Sequence, residues 1–349
     1  MHILLVGGIY GRPAAYRDAI GPTPETVLES ALRRRGHEIT LRGHHGPFDA
    51  AGADIVHVHH LSYGALAATD GARPYVFTAH RFAEMTRVRR AALRFVVARA
   101  DASVVLSAPE RRWQLARAPG GTPRPVIPNG VDPSVFGYRP PLPLGRTLEL
   151  LYVGQLIPLK GLDYLLHALA AVAREGAVRL RLVYQVDDEE GRLRALAADL
   201  GLEVEFLGPR RSAELADLYA QSHALVLPST AEALPSVVTE ALFVGRPVVA
   251  TDVGAVCEQV GDFGRVVPAR SAPALAAALR ELRAGYDDLA ARSSRASAAA
   301  VQRYSIDVMA DAHERLYRGL LETWSGRRRT PDRIAAGMLA RTAARARRA

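Results

Sequence analysis

Cysteine occurs once in this chain of 349 residues, at Cys257, which excludes an internal disulfide framework and a cysteine-built zinc site. Lysine is equally scarce: among 45 basic residues, Lys160 alone is not an arginine. No run approaches the roughly 18 apolar residues that a membrane-spanning helix requires. Aromatic residues make up only 6%, and no basic stripe carries interleaved aromatics, so nucleic acid is a disfavoured partner. No basic segment precedes Ile3-Leu4-Leu5-Val6, so a secretory signal is not expected and the cytoplasm is the expected compartment.

What is present fits a soluble globular protein: apolar residues reach 49% and charged residues 23%. The length suits two domains better than one. A net charge of +9 suggests an anionic partner, but its distribution says more than its total. Residues 1–144 hold 18 basic and 11 acidic side chains, residues 145–324 hold 19 and 24, and residues 325–349 hold 8 and 1. The last stretch, rich in arginine and alanine and interrupted by Pro331, reads as a basic flexible tail.

Short runs of Val, Ile and Leu alternate with segments of helical period, the pattern of βαβ units around parallel sheets. Strands are expected at 2–6, 37–41, 54–58, 74–78, 102–106 and 125–127. After the proline-rich stretch Pro133–Arg146, read as an interdomain linker, they are expected at 148–153, 179–184, 203–207, 224–227, 247–250 and 265–267. The expected fold is therefore α/β, with two Rossmann-like doubly wound domains, 1–144 and 145–305, facing across a cleft. A last helix is expected at 306–323.

Several strand ends carry chemistry. Gly7 and Gly8 follow the first strand, where glycine lets backbone amides approach an anion. His57 and His59 share a strand face, as a metal pair would, although histidines satisfied by neighbouring groups are the favoured reading. His80 falls at the carboxyl edge of its strand, where ligands of open α/β sheets bind. The segment Tyr152-Val153-Gly154-Gln155 to Lys160-Gly161 runs from strand through a glycine turn to a helix start. A lysine beside a helix N-terminus suits a diphosphate. Downstream, Glu232 and Glu240 bracket a turn and a helix start containing Leu234, Ser236 and Val237. The carboxylates suit sugar hydroxyls, and the amides of Ser236 and Val237 suit phosphates. Arg87, Arg89, Arg90, Arg94 and Arg99, with Phe95, Val96 and Val97, make an anionic membrane surface a further candidate partner.

Asn129-Gly130-Val131-Asp132, the Gly154–Gly161 segment, Glu232 to Glu240, and Val248–Gly254 together resemble family-four glycosyltransferases of the GT-B fold. The likeness spans about 1–323 and is strongest over 125–305. It implies a metal-independent, retaining transfer of sugar from a nucleotide-diphosphate sugar, a UDP- or GDP-sugar, to a hydroxyl of a sugar, lipid-linked or small-molecule acceptor. No other cofactor is implied. It places donor binding in 145–305 and acceptor binding in 1–144, with 306–323 crossing back. Under the resemblance, Lys160 neutralises the diphosphate, Glu232 holds the transferred sugar, Glu240 holds the ribose, and His80 contacts the donor sugar. Gly7 and Gly8 line the phosphate side, and Gln155 and Leu234 belong to the donor site. The leaving phosphate takes the acceptor's proton. The family usually carries arginine at the position of Gln155, leaving Arg12, Arg81, Arg210 or Arg211 as substitutes, and Gln185–Asp188 replaces a glycine-rich turn. A non-catalytic nucleotide-sugar-binding protein and a nucleotide-sugar epimerase of the same fold are the alternatives.

Overall fold

The computed structural model describes residues 1–325 apart from 15, 18–20, 45–49, 51, 63, 64, 66–72, 81–84 and 186. Most of the basic tail, and Arg81, therefore lie outside the described residues. The chain divides into two units, Met1–Gly130 with Ile306–Ala349, and Val131–Ser305.

The first unit is built on strands β1 (His2–Val6), β2 (Glu38–Arg42), β3 (Ile55–His59), β4 (Tyr75–Thr78) and β5 (Ala102–Val104). All pair in parallel, in the order β2-β1-β3-β4-β5. Every residue of β3 and β4 is buried, so their apolar runs suit a sheet covered on both faces. Its helices include α1 (Pro24–Arg34), α2 (Arg87–Arg99) and α3 (Ala108–Arg117). Thr23 starts α1 with a capping box to Thr26, Pro24 follows at the first helical turn, and Glu25 complements the helix dipole there. The strand expected at 125–127 is reduced to one bridge, Val105 with Val126. Pro125 and Pro128 flank it and have no N–H to donate to a longer ladder.

In the second unit, β6 (Leu148–Val153), β7 (Val178–Val183), β8 (Glu203–Gly208), β9 (Ala224–Leu227), β10 (Val248–Thr251) and β11 (Gly264–Val267) form one parallel sheet. Its order is β11-β10-β9-β6-β7-β8, which reverses direction between β6 and β9. The helices are α4 (Leu162–Ala173), α5 (Glu190–Asp199), α6 (Ser212–Ala220), α7 (Ser236–Val244), α8 (Val256–Val260), α9 (Ala272–Ala284) and α10 (Tyr286–Tyr304).

The proline-rich stretch is packed onto this unit and is not a free linker, so the units divide at 130/131 and not at 144/145. The buried Arg246 donates from Nη2 to the carbonyls of Arg139 and Pro140, at 2.8 and 2.9 Å. Tyr286 donates its hydroxyl to Leu142 O at 3.0 Å. Without strand or helix partners of their own, these carbonyls bond to side chains of the unit beneath.

The final helix, α11 (Ile306–Thr323), belongs to the first unit and packs on α1. Met309 and Tyr317 join Ile3, Leu5 and Leu28 in its core. Arg35 pairs with Asp307 and Asp311, and His37 Nε2 lies 2.6 Å from Glu314 Oε1. Among the described residues, no helix is long and apolar enough to cross a membrane.

Candidate active site

In a sheet whose order reverses, loops on either side of the reversal diverge and leave room for a ligand at the carboxyl ends. In the second unit those loops follow β6 and β9, and the structure joins them there. Thr230 donates from N and Oγ1 to Leu159 O, at 2.8 and 2.9 Å. Gly161 closes the first loop with φ +66, and a Cβ there would lie 2.3 Å from Pro228 O, so glycine is required twice over. On the other side, Gly254 lies against Glu232 O in the same way, at φ +59 and 2.3 Å.

This junction brings Lys160 and Glu232 together. Lys160 Nζ donates to Glu232 Oε1 at 2.6 Å, and Ser229 Oγ donates to the same oxygen at 2.7 Å. Both charged side chains are mostly covered, with 17% and 12% of their surface exposed. Gln155 is exposed in the first loop, and its carbonyl accepts from Tyr152 Oη at 2.7 Å. Leu234 is buried in the turn before α7, whose first residues are Ser236 and Val237. A helix start leaves such amides without intrahelical acceptors. One turn on, Glu240 accepts from Tyr219 Oη at 3.0 Å. Burial pushes the Glu240 carboxyl up to about 7 against that hydrogen bond. Of the candidate substitute cations in this unit, Arg211 faces Glu214, and Arg210 donates to its neighbouring Pro209 carbonyl.

The first unit reverses between β1 and β3, and a histidine cluster occupies that end of its sheet. His57 is hydrogen-bonded to Tyr317 Oη at 2.6 Å and to Thr78 Oγ1 at 2.8 Å, and it stacks on His59 with ring centroids 4.3 Å apart. His59 Nδ1 lies 2.7 Å from His80 Nε2, and His313 on α11 stands 5.5 Å from the His57 ring. Burial pushes His57 and His59 well below the usual imidazole range, His80 to about 3 and His313 to about 4. His57 thus has both nitrogens committed to hydroxyls, and among the described residues no three His, Cys, Asp or Glu side chains are grouped to hold a metal. His80 sits just past β4 with φ +50, and His60 just past β3 with φ +67. Both conformations are strained for residues with a Cβ.

Gly7 donates its amide to Arg42 O at 3.0 Å, so that amide extends the β1–β2 ladder and is not left over for an anion. A side chain at Gly8 would collide with the His44 ring. Arg12 stacks over Tyr16 at 5.3 Å.

Sequence reasoning missed three participants. Tyr219 reaches Glu240 from α6, and His313 reaches the cluster from α11. Glu25 accepts from His60 Nε2 at 2.7 Å, although it reads locally as an ordinary first-turn acid. The run His57-Val58-His59-His60 was the one available signal for His60.

Two parallel α/β units, each with polar side chains gathered where its strand order reverses, define the double-Rossmann class of proteins. Within that class, residues 147–284 match the model described as "Glycosyl transferases group 1", and residues 47–135 match "Glycosyltransferase Family 4". The chain is 34% identical over 296 residues to a phosphatidyl-myo-inositol mannosyltransferase of Mycolicibacterium smegmatis, covering 78% of this chain and 72% of that one. It is 33% identical over 300 residues to a D-inositol 3-phosphate glycosyltransferase of Geodermatophilus obscurus, covering 74% and 66%. The Anabaena Alr3699/HepE structure in complex with UDP superposes with a TM-score of 0.76 at 20% identity, over 92% of this chain and 100% of that one. The chain belongs to the family-four, group 1 glycosyltransferases, and its fold is GT-B.

Proposed function

We propose that this glycosyltransferase moves a sugar, with retention and without a metal, from a nucleoside-diphosphate sugar to a hydroxyl of an inositol-type or lipid-linked acceptor. The observation that carries this reading is the Lys160–Glu232 pair at the reversal of the second sheet, beside the start of α7. A mostly covered cation paired with a carboxylate is poised to exchange partners. On donor binding, the diphosphate takes Lys160 and the amides of Ser236 and Val237. Glu232 is thereby released to accept hydroxyls of the sugar. The fixed positive field stabilises charge developing on the leaving diphosphate, the role a metal plays elsewhere. Gln155 adds no charge, so Lys160 carries that field without the arginine usual in the family.

The acceptor class follows from the names of the two relatives, both of which carry inositol. The UDP of the Anabaena complex supports a uridine donor, with guanosine as the alternative to test beside it. The test is release of nucleoside diphosphate with and without an inositol-type acceptor, and the anomeric configuration of the product. Release that requires the acceptor, with the donor's configuration kept, supports the reading. An inverted product contradicts it, as does conversion of donor without an acceptor to an epimeric nucleotide sugar.

Glu240 supplies a separable check. Its carboxyl has a folded value of about 7 against an ordinary value near 4.5. The cost of ionising it is therefore absent below about pH 4.5 and full above about pH 7. Glu240→Gln should stabilise the unliganded protein at pH 8, by on the order of 2 kcal/mol, with the gain vanishing near pH 4.5. Donor affinity should fall in the same variant, because a ribose loses its charged acceptor. Stability and affinity moving together in thermal melts would count against the assignment.

The first turn of α2 carries Arg87, Arg89 and Arg90, no acid, and an exposed Val88, which opposes the helix dipole and suits an anionic surface. Val96 and Val97 face the core, so any docking is electrostatic. Flotation with anionic vesicles at low salt should carry the protein upward, and an Arg87→Glu/Arg89→Glu/Arg90→Glu variant should stay behind. Equal flotation of both would remove the idea.

A further inference from the structure

The Tyr219 hydroxyl faces more acceptors than it has protons. Its Oη lies 3.0 Å from Val237 O and 3.0 Å from Glu240 Oε2, both at the start of α7. A carbonyl only accepts, and so does an ionised carboxylate, whereas a phenol has a single proton to give. With Glu240 ionised, that proton is divided between two acceptors. With Glu240 protonated, the acid donates to Tyr219 Oη and Tyr219 donates to Val237 O, so each contact is a full hydrogen bond. The arrangement therefore suits the carboxylic acid.

The surroundings favour the same form. Tyr219 is fully covered and packs edge-on against Phe136, with ring centroids 6.1 Å apart. Burial pushes its phenol well above the usual range, so it keeps its own proton. Among the described residues, Tyr219 is the one titratable group acting on the Glu240 carboxyl. β9 and β10, which pack on α7, carry no titratable side chain. On α8, Glu258 pairs with Arg303 of α10, and Cys257 is exposed. The acids of α6 and the charged residues of α10 are exposed as well.

The start of α7 is meanwhile fixed from the side of α8. Ala255 donates its amide to Ala233 O at 2.9 Å, and Gln259 Nε2 donates to Pro235 O and Thr239 Oγ1 at 3.2 and 3.0 Å. Glu240 is only half-buried, so its carboxyl can still meet a ligand. A carboxyl held in this way answers a ligand by changing its proton and not its place.

We propose that Glu240 carries a proton until the donor binds and gives it up on binding, with Tyr219 as the positioning residue for the exchange. This rests on the glycosyl-transfer reading above, in which Glu240 holds the donor's ribose. The ribose brings two hydroxyl donors. An ionised carboxylate accepts from both and from Tyr219 besides, whereas the acid spends one oxygen on its own proton. The acid's O–H bond breaks, its electron pair stays on Glu240, and the proton leaves to water. Below neutrality the donor must displace that proton and binds less tightly. Above neutrality the carboxylate is already formed.

Titration calorimetry of the full chain with UDP-glucose, and with GDP-mannose beside it, reads the proton directly, because neither diphosphate diester titrates near neutrality. Repeating it in buffers of different ionisation enthalpy gives the protons released per donor bound. With a folded value of about 7 for Glu240, release should be nearly one proton at about pH 6 and nearly none at about pH 8. The donor Kd should weaken about tenfold over the same interval. Glu240→Gln should release no proton at either pH and bind the donor with a flat pH profile. Tyr219→Phe keeps the packed ring but removes the hydrogen bond that helps the carboxylate most, so both transitions should move to higher pH. If Tyr219→Phe does not fold, Glu240→Gln carries the test. No release at pH 6 from a wild type that binds donor, or equal release from Glu240→Gln, overturns the proposal. A folded Tyr219→Phe with unmoved transitions overturns the role of Tyr219. A wild type that binds no UDP- or GDP-sugar would instead overturn the donor reading on which the proposal rests.

Discussion

As pH falls from about 6.5 to 5 the first unit should lose stability with a slope that steepens toward about 4 kcal/mol per pH unit. His57, His59, His80 and His313 are held neutral by burial, each below its ordinary value of 6.5. The unfolded chain takes up protons there that the folded chain refuses, approaching four by about pH 5, so stability falls as pH drops. Glu110 works the other way, because burial raises its carboxyl to about 7 from 4.5, and it gains stability over part of the same interval. The net approaches three protons by about pH 5. Against a typical stability of about 5–15 kcal/mol, the accumulated loss of about 5 kcal/mol by pH 5 is a third or more of the whole. Both tryptophans, Trp113 and Trp324, lie in this unit, so urea unfolding followed by intrinsic fluorescence reads it directly. A free energy unchanged from pH 7.5 to 5.5 would show that the imidazoles are not buried as described.

Lys160→Ala lowers the rate of transfer by at least tenfold, and by as much as about 1000-fold if Lys160 is the principal charge at the diphosphate. It also leaves Glu232 mostly covered with only the Ser229 hydroxyl as partner, so the unliganded protein loses stability. The two effects are separated by adding Glu232→Gln. The neutral amide removes the unbalanced charge, so the double variant regains stability while transfer stays low. Recovery of transfer along with stability would mean that Lys160 serves the fold alone.

Much of this was legible in the sequence because its signals are local. Apolar runs gave the strands, and the glycine–lysine segment after β6 stood out in a chain with a single lysine. What stayed hidden depends on distant pairing. Nothing near residue 160 shows that its nearest charge is Glu232, across two loops joined by Thr230 and Leu159. The prolines of 133–146 suggested a linker, because the side chains that bind them, Arg246 and Tyr286, come much later in the chain. Val96 and Val97 seemed available to a membrane until the core was seen to claim them. Nothing local to Glu25 shows that it accepts from His60, 35 residues on.

Thermal melts of the wild type and Lys160→Ala against a panel of UDP- and GDP-sugars test the central claim most directly. A donor at 100 times its dissociation constant adds about 2.7 kcal/mol of stability. One nucleotide sugar should raise the melting temperature of the wild type and give little or no shift in the variant. No shift with any nucleotide sugar, or an equal shift in both proteins, would contradict donor binding at Lys160.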